Sequence, residues 1–182
     1  MDELAEVLDA LALTRALLHP SDRIAWLAVL HAPWCGLGLA DLLALTGEGE
    51  DADTGATVVH LVRERRALVS AEGQRLLDRA WPILETAVAT LGRTSLATHV
   101  ERTWRSLGGD AALSVERRKN VQRYLGVLHE VEREGDRVDL SVLKGRLNRL
   151  YAEPASGAVG DGQLPVELLT IHKAKGLEWD WY

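Results

Sequence analysis

Apolar residues recur at helical spacing through most of the first 150 positions, and this pattern constrains the fold more than any other feature of the chain. Near the start, the three- and four-residue intervals of one helix face are filled by Leu4, Val7, Leu8, Leu11, Leu17 and Leu18. Between Ser114 and Glu134 a second stripe is formed by Val121, Leu125, Leu128 and Val131. The sequence therefore predicts a mainly α fold, a multi-helix unit over residues 1–152.

Residues that favour helix ends divide this region into separate helices. Serines with a side-chain oxygen suited to capping an N-terminus precede three apolar segments, at Ser21, Ser70 and Ser95. Gly47 stands where a C-terminal glycine belongs. Pro82 predicts a kink or a restart inside the helix expected from Ser70 to Leu91. The helices predicted in this way cover residues 22–31, a short stretch ending at 45, and 60–69, 70–91, 95–107, 114–134 and 139–151.

The composition changes at position 153. Residues 153–164 read EPASGAVGDGQL, which is typical of a linker, and residues 166–171 are short, largely apolar and bounded, which predicts a β-strand. One strand cannot form a sheet, and the sequence ends in Trp179, Asp180, Trp181 and Tyr182. We therefore expect three parts: a helical subdomain over 1–152, a linker over 153–164, and a piece of a truncated domain over 165–182.

The string at residues 169–180 reads LTIHKAKGLEWD. It resembles motif V of superfamily 1 helicases of the UvrD/RecB type, whose pattern of threonine, histidine, lysine, glycine, leucine, glutamate, an aromatic residue and aspartate is filled here throughout. The resemblance implies that Thr170 and His172 contact DNA phosphate. It also implies that Lys175, Gly176 and Glu178 lie at the nucleotide, with Glu178 on the ribose. The alternative is a strand followed by a charged turn.

Residues 11–38 also resemble this family. Residues 11–27 read LALTRALLHPSDRIAWL and residues 32–38 read APWCGLG, which is similar to the opening of the helical 2B subdomain of these helicases. The sequence of residues 32–38 is most similar to that of the beta subunits of RecB-like exonuclease V. The resemblance implies a multi-helix subdomain inserted in a RecA-like lobe, with a single strand of that lobe at the C-terminal end.

The implied parent is an ATP-dependent DNA helicase of DNA repair or recombination, which hydrolyses ATP with Mg²⁺. This chain has no GxxxxGK[ST] phosphate loop, no Walker B acidic pair and no motif VI arginine, so we expect no catalytic residue, no cofactor and no ATP hydrolysis in it. The resemblance implies DNA as partner, single-stranded at motif V and duplex at the helical subdomain, and a helicase-nuclease subunit as a further partner. The alternative is a standalone helical protein-interaction module without a catalytic role.

Candidate DNA contacts in the helical part rest on charge and on one turn. The net charge is −6, yet residues 58–149 carry seventeen basic and twelve acidic residues. Within them Arg117, Arg118 and Lys119 form a basic cluster that could contact phosphate, and the alternative is a solvated helix face. The glycines Gly36 and Gly38 could present backbone N–H groups to duplex DNA, and the alternative is a plain turn between helices.

Several classes of protein are disfavoured by the sequence. The N-terminal segment is acidic and lacks the basic region of a signal peptide, and no apolar run approaches the roughly 18 residues of a membrane span. The single cysteine, Cys35, cannot form an internal disulfide or build a zinc site alone. We expect a cytoplasmic protein with no membrane partner and no metal site. We also expect Cys35 to be a small buried residue and Trp26, Trp81 and Trp104 to lie in the core.

Overall fold

The computed structural model describes residues 4–47, 55–135 and 138–152, with side chains to residue 150. These residues form helices and their connections, and no strand occurs among them, which confirms the mainly α class. The elements are α1 (Ala5–Leu18), α2 (Arg23–His31), α3 (Leu39–Thr46), α4 (Val58–Arg65), a 3-10 turn (Arg66–Leu68), α5 (Ala71–Thr90), α6 (Leu96–Ser106), α7 (Gly109–Ala112), α8 (Val115–Glu134) and α9 (Leu140–Ala152).

Spatial proximity divides the chain into two units, Met1–Asn148 and Arg149–Tyr182. The first contains α1 to α8 and most of α9. The second lies almost wholly outside the described residues, and with it the strand predicted at residues 166–171. The predicted boundary near residue 152 and the RecA-like context of the strand stay predictions.

Side-chain caps begin the helices largely where the sequence places them. Ser70 accepts a hydrogen bond from the backbone N–H of Gly73 at 3.0 Å, and Ser95 accepts one from that of Thr98 at 3.3 Å. The prediction for Ser21 is wrong by one residue, because Asp22 caps α2 through Ala25 N–H at 3.0 Å. Asp22 is the better cap, since its other carboxylate oxygen accepts from Arg15 of α1 at 2.7 Å and so joins the two helices.

Two helix boundaries differ from the predictions. α5 continues through Pro82, so the chain does not restart there, whereas the kink, the other predicted outcome, stays a prediction. A helix was predicted over residues 60–69, yet α4 ends at Arg65 and the tighter 3-10 turn carries the chain on to Leu68. Gly108 adopts φ +85°, the left-handed conformation that ends α6, while Gly109 already begins the short helix α7.

α1 lies at the centre of the helical unit and packs against α2, α6 and α8. Leu13, Ala16 and Leu17 are fully buried, whereas Leu8, which the sequence pattern places on the core face, is 60% exposed. A helix that is packed on several sides buries residues on more than one face. A prediction of one apolar face therefore identifies only some of the buried residues of α1. Its buried Thr14 donates to Ala10 O at 3.0 Å and lies 2.6 Å from the hydroxyl of Tyr124 on α8.

Four tryptophans of the described part of the chain are buried in the core: Trp34, and Trp26, Trp81 and Trp104 as expected. Trp26 and Trp81 have ring centroids 6.0 Å apart, and Trp104 meets Trp34 edge-to-face at 6.5 Å. The Trp104 indole packs against Gly109 so closely that a Cβ there would overlap it. Among the described residues, the buried indole N–H groups of Trp26, Trp34 and Trp104 have no hydrogen-bond partner.

The start of α5 is tied to α3 through one carboxylate. Asp41 accepts hydrogen bonds from the backbone N–H of Ser70 at 2.9 Å and from its hydroxyl at 3.1 Å. The carboxylate reaches this position because residue 73 is glycine: a Cβ at Gly73 would overlap both Asp41 and Val69. Ser70 thus caps α5 while Asp41 holds Ser70.

Candidate nucleic-acid interface

The predicted interface falls in two parts of the chain. The motif V residues, with DNA contacts at Thr170 and His172 and nucleotide contacts at Lys175, Gly176 and Glu178, all lie outside the described residues. The geometry below concerns the glycine turn at residues 32–38 and the basic cluster of Arg117, Arg118 and Lys119.

The glycine turn uses its own N–H groups. Cys35 and Gly36 both donate to Ala32 O at 2.8 Å, and Leu37 donates to Leu30 O at 2.9 Å. Gly36 has φ +82°, a conformation that favours glycine and that lets the chain reverse between α2 and α3. Because these three donors are satisfied internally, they are not free to bind a phosphate group.

Beyond the turn, the backbone N–H groups in the first turn of α3 donate no hydrogen bond to a capping side chain. Gly38 caps this helix without a side chain, and Leu39 beside it is 71% exposed. The first turn of α3 also contains Asp41, whose negative charge opposes an anion at this helix end. The DNA-binding role of Gly36 and Gly38 stays a prediction, and these contacts favour its alternative, a turn that connects two helices.

The turn instead has a clear structural attachment. Trp34 and Cys35 are buried, and Arg79 of α5 donates to Trp34 O at 2.8 Å. His31, at the end of α2, has its Nδ1 atom 2.9 Å from Leu37 O. Burial raises the pKa of the Cys35 thiol to about 12, against a small opposing effect of Arg79. The thiol is therefore protonated at neutral pH and is no nucleophile.

The basic cluster lies on the first turns of α8, where acidic residues accompany it. Lys119 Nζ is 3.0 Å from Glu116 Oε1, and Arg117 Nε is 3.9 Å from Glu6 Oε2. Arg118 has no carboxylate within 4.0 Å among the described residues, and it is half-buried. Two of the three cations are thus shared with acids, so a phosphate would compete for them, although exposed ion pairs hold weakly.

Glu6 gives this end of α8 a buried negative charge. The side chain is 3% exposed and accepts a hydrogen bond from Asn120 Nδ2 at 2.7 Å. One turn further along α1, burial raises the pKa of Asp9 to about 6, with His31 lowering it and Glu6 adding to the rise. No hydrogen bond or ion pair between described residues joins this cluster to the glycine turn.

A further feature, which the sequence did not indicate, is a cleft between α5 and α6 of about 570 Å³. We call it the α5–α6 cleft; the residues that line it include Ile83, Thr86, Ala87, Thr90, Arg93 and Arg102. Both guanidinium groups are exposed, and neither has a hydrogen-bonding or ion-pair partner in the described chain. Only the packing of α6 on α5 brings Arg93 and Arg102 to one cleft, so no local sequence signal could have identified them.

Comparisons with models of protein families, with curated proteins and with solved structures found no match to this chain. Among the described side chains, no three of histidine, cysteine, aspartate or glutamate are grouped so that they could hold a metal ion. None of the helices in the described part of the chain is both long and apolar enough to cross a membrane.

Proposed function

We propose that this chain is a segment of an ATP-dependent DNA helicase of the UvrD/RecB type, acting in DNA repair or recombination. Residues 1–152 would be its 2B-like subdomain, and residues 165–182 would carry motif V. One observation carries the proposal: the ordered string at residues 169–180 fills every position of that motif. A mainly helical unit before the string supports it, because the family inserts a helical subdomain at this point.

In the proposed helicase the chain couples ATP to DNA and does not itself cleave ATP. Thr170 and His172 would donate hydrogen bonds to phosphate oxygens of single-stranded DNA. Glu178 would accept hydrogen bonds from ribose hydroxyls, and Gly176 would let the backbone approach the nucleotide. The phosphate loop, the Mg²⁺ ligands and the motif VI arginine would come from flanking sequence, where phosphoryl transfer is stabilised.

The test uses the protein that carries this segment. Glu178→Ala should raise the KM for ATP and lower DNA-stimulated hydrolysis by about tenfold or more, the equivalent of about 1.4 kcal/mol. Glu167→Ala is the matched control, since it removes the same charge nearby but outside the motif. Unchanged ATP turnover after Glu178→Ala would remove this residue from the nucleotide site. If the gene encodes no phosphate loop upstream of this segment, the proposal that the chain belongs to a helicase is wrong.

A second function is favoured by one observation of the described residues. The α5–α6 cleft leaves two arginines without partners, which suits a helical protein-interaction module with no catalytic role. In this second case the module stands alone and is no part of a helicase. The helicase test above separates the two cases, because a standalone module predicts no ATP dependence in the protein that contains it.

A further inference from the structure

The α5–α6 cleft has an unbalanced positive charge. The acids on the same two helices are occupied elsewhere: Glu85 pairs with Arg63 of α4 at 3.0 Å, and Glu101 pairs with Arg105 at 2.8 Å. Arg93 and Arg102 have no such partner in the described part of the chain. The two guanidinium groups therefore keep their full donor capacity, five N–H groups each, toward a ligand.

The floor of the cleft, by contrast, is largely apolar. Thr86 donates its hydroxyl to Pro82 O at 2.7 Å, and Thr90 donates to Thr86 O at 2.7 Å. These donors are satisfied by their own helix, so their methyl groups, with Ile83 and Ala87, supply apolar surface to a ligand. The side chains of 82, 86 and 90 are small and spaced one helical turn apart, which leaves a groove that a second backbone can approach.

We propose that the α5–α6 cleft docks an amphipathic segment of a partner protein, whose apolar side chains enter the groove and whose carboxylates pair with Arg93 and Arg102. Charge complementarity identifies the occupant, because a guanidinium and a carboxylate match in a two-bond geometry. The partner would bind as an amphipathic helix in a groove. Its apolar side chains, spaced one helical turn apart, would enter the cleft, and its carboxylates would meet the arginines at the rim. The volume of about 570 Å³ accommodates several such side chains.

A nucleic acid fits this cleft less well than an acidic peptide. Each phosphate contact contributes about 0.9 to the salt dependence of binding, so two arginines give weak binding to a polyanion. A phosphodiester backbone is charged along its whole length, and it gains nothing from the apolar floor formed by Ile83 and Ala87. An alternating acidic and apolar segment uses both features. The inference does not depend on the helicase proposal, because it rests on this cleft alone.

The experiment is a selection of random peptides displayed on phage against the full chain. Enriched peptides should carry aspartate or glutamate beside apolar residues at helical spacing. Fluorescence polarisation with the synthetic peptides should then show at least about a tenfold weaker Kd for the double variant Arg93→Glu, Arg102→Glu. The control is Arg133→Glu, Lys144→Glu, which makes the same charge change on α8 and α9, outside the cleft, and should bind as the parent chain does.

A second variant separates the groove from the charge. Thr86→Trp fills the cleft at an exposed position and leaves its charge unchanged, so it should also weaken the peptides, while circular dichroism shows that the helices persist. The proposal is overturned if enriched peptides lack acids, or if they bind the charge-reversed double variant and the parent equally. It is also overturned if a DNA duplex binds the parent chain in preference to the peptides and loses that binding with Arg93 and Arg102.

Discussion

The glycine turn and the α5–α6 cleft both contain polar groups of the kind that bind ligands, but they differ in how many of these groups the fold leaves without a partner. In the turn, the N–H groups of Cys35 and Gly36 donate to Ala32 O and that of Leu37 donates to Leu30 O at the end of α2, at 2.8–2.9 Å. In the cleft, the guanidinium groups of Arg93 and Arg102 have no partner in the described chain. A surface can bind only through groups that the fold does not already use, so the cleft is the better candidate of the two.

The largest effect is expected from removing the buried side chain that anchors the glycine turn. If this removal has little effect, the contrast between the turn and the cleft does not hold. Trp34→Ala should lower the free energy of unfolding by about 3–5 kcal/mol, because the side chain is fully buried against Trp104 and its loss leaves a cavity. Urea denaturation followed by circular dichroism measures this. Pro33→Ala, an exposed change in the same turn, is the control and should be nearly neutral. A loss below about 1 kcal/mol for Trp34→Ala would mean that the turn is not anchored as described.

The glycines of the turn give the next test. Gly36→Ala should cost about 1–2 kcal/mol, since its φ of +82° is unfavourable for a side chain. The nearest atoms to an added Cβ belong to Leu76 at 3.8 Å, so the cost comes from the backbone and not from a clash. Gly38→Ser is the matched change at φ −72°, and a serine cap should leave α3 unchanged or slightly more stable. Equal effects at both positions in urea denaturation would contradict this difference.

The pH dependence near the turn should be smaller. Burial raises the pKa of Asp9 from 3.8 to about 6, so between these pH values the folded state keeps a proton that the unfolded chain releases. The contribution of Asp9 to the free energy of unfolding should therefore fall as pH rises from about 4 to about 6. Asp9→Asn should remove this slope and stabilise the protein at pH 7 by on the order of 1 kcal/mol.

Denaturation at several pH values measures the Asp9 effect. Glu64→Gln, which neutralises an exposed acid on α4, should keep the slope of the parent chain. The same pH slope in the parent chain and in Asp9→Asn over this window would show that burial does not raise the pKa of the Asp9 carboxyl.

The smallest effect is expected in the cleft. Arg93→Glu together with Arg102→Glu should change the free energy of unfolding by less than about 0.5 kcal/mol, because both side chains are exposed and neither forms an ion pair with another described residue. The same urea denaturation measures it. A clear destabilisation would mean that the two arginines stabilise the fold. The cleft would then no longer differ from the turn in having polar groups that the fold does not use.

Local features were predictable from the sequence, and long-range ones were not. Ser70 and Ser95 cap helices because a serine side chain reaches an N–H group only three residues away. Ser21 was the wrong choice because both it and Asp22 can cap, and the pairing of Asp22 with Arg15 decides between them. Local spacing also predicted the buried stripe on α8, where Val121 and Leu128 are fully buried.

The candidate interface depended on contacts between distant parts of the chain. Nothing near Arg117 indicates that Glu6, more than one hundred residues earlier, lies within 3.9 Å of it. The cleft with Arg93 and Arg102 involves neighbouring helices, but it exists only because α6 packs on α5, and the order of the residues does not specify that packing. The predicted roles of Thr170, His172, Lys175, Gly176 and Glu178 rest on motif resemblance and stay predictions.

The absence of a side chain at Gly73 constrains the order in which substitutions can accumulate as this sequence evolves. Because a Cβ at this position would overlap both Asp41 and Val69, alanine at 73 is tolerated only after those two side chains have become shorter or have moved away. Substitutions at the three positions are therefore order-dependent: changes at 41 and 69 open the route to a change at 73, and the reverse order passes through a destabilised protein. Descendants of this chain should accordingly keep glycine at 73 wherever the carboxylate at 41 keeps its hydrogen bonds to Ser70 and valine persists at 69.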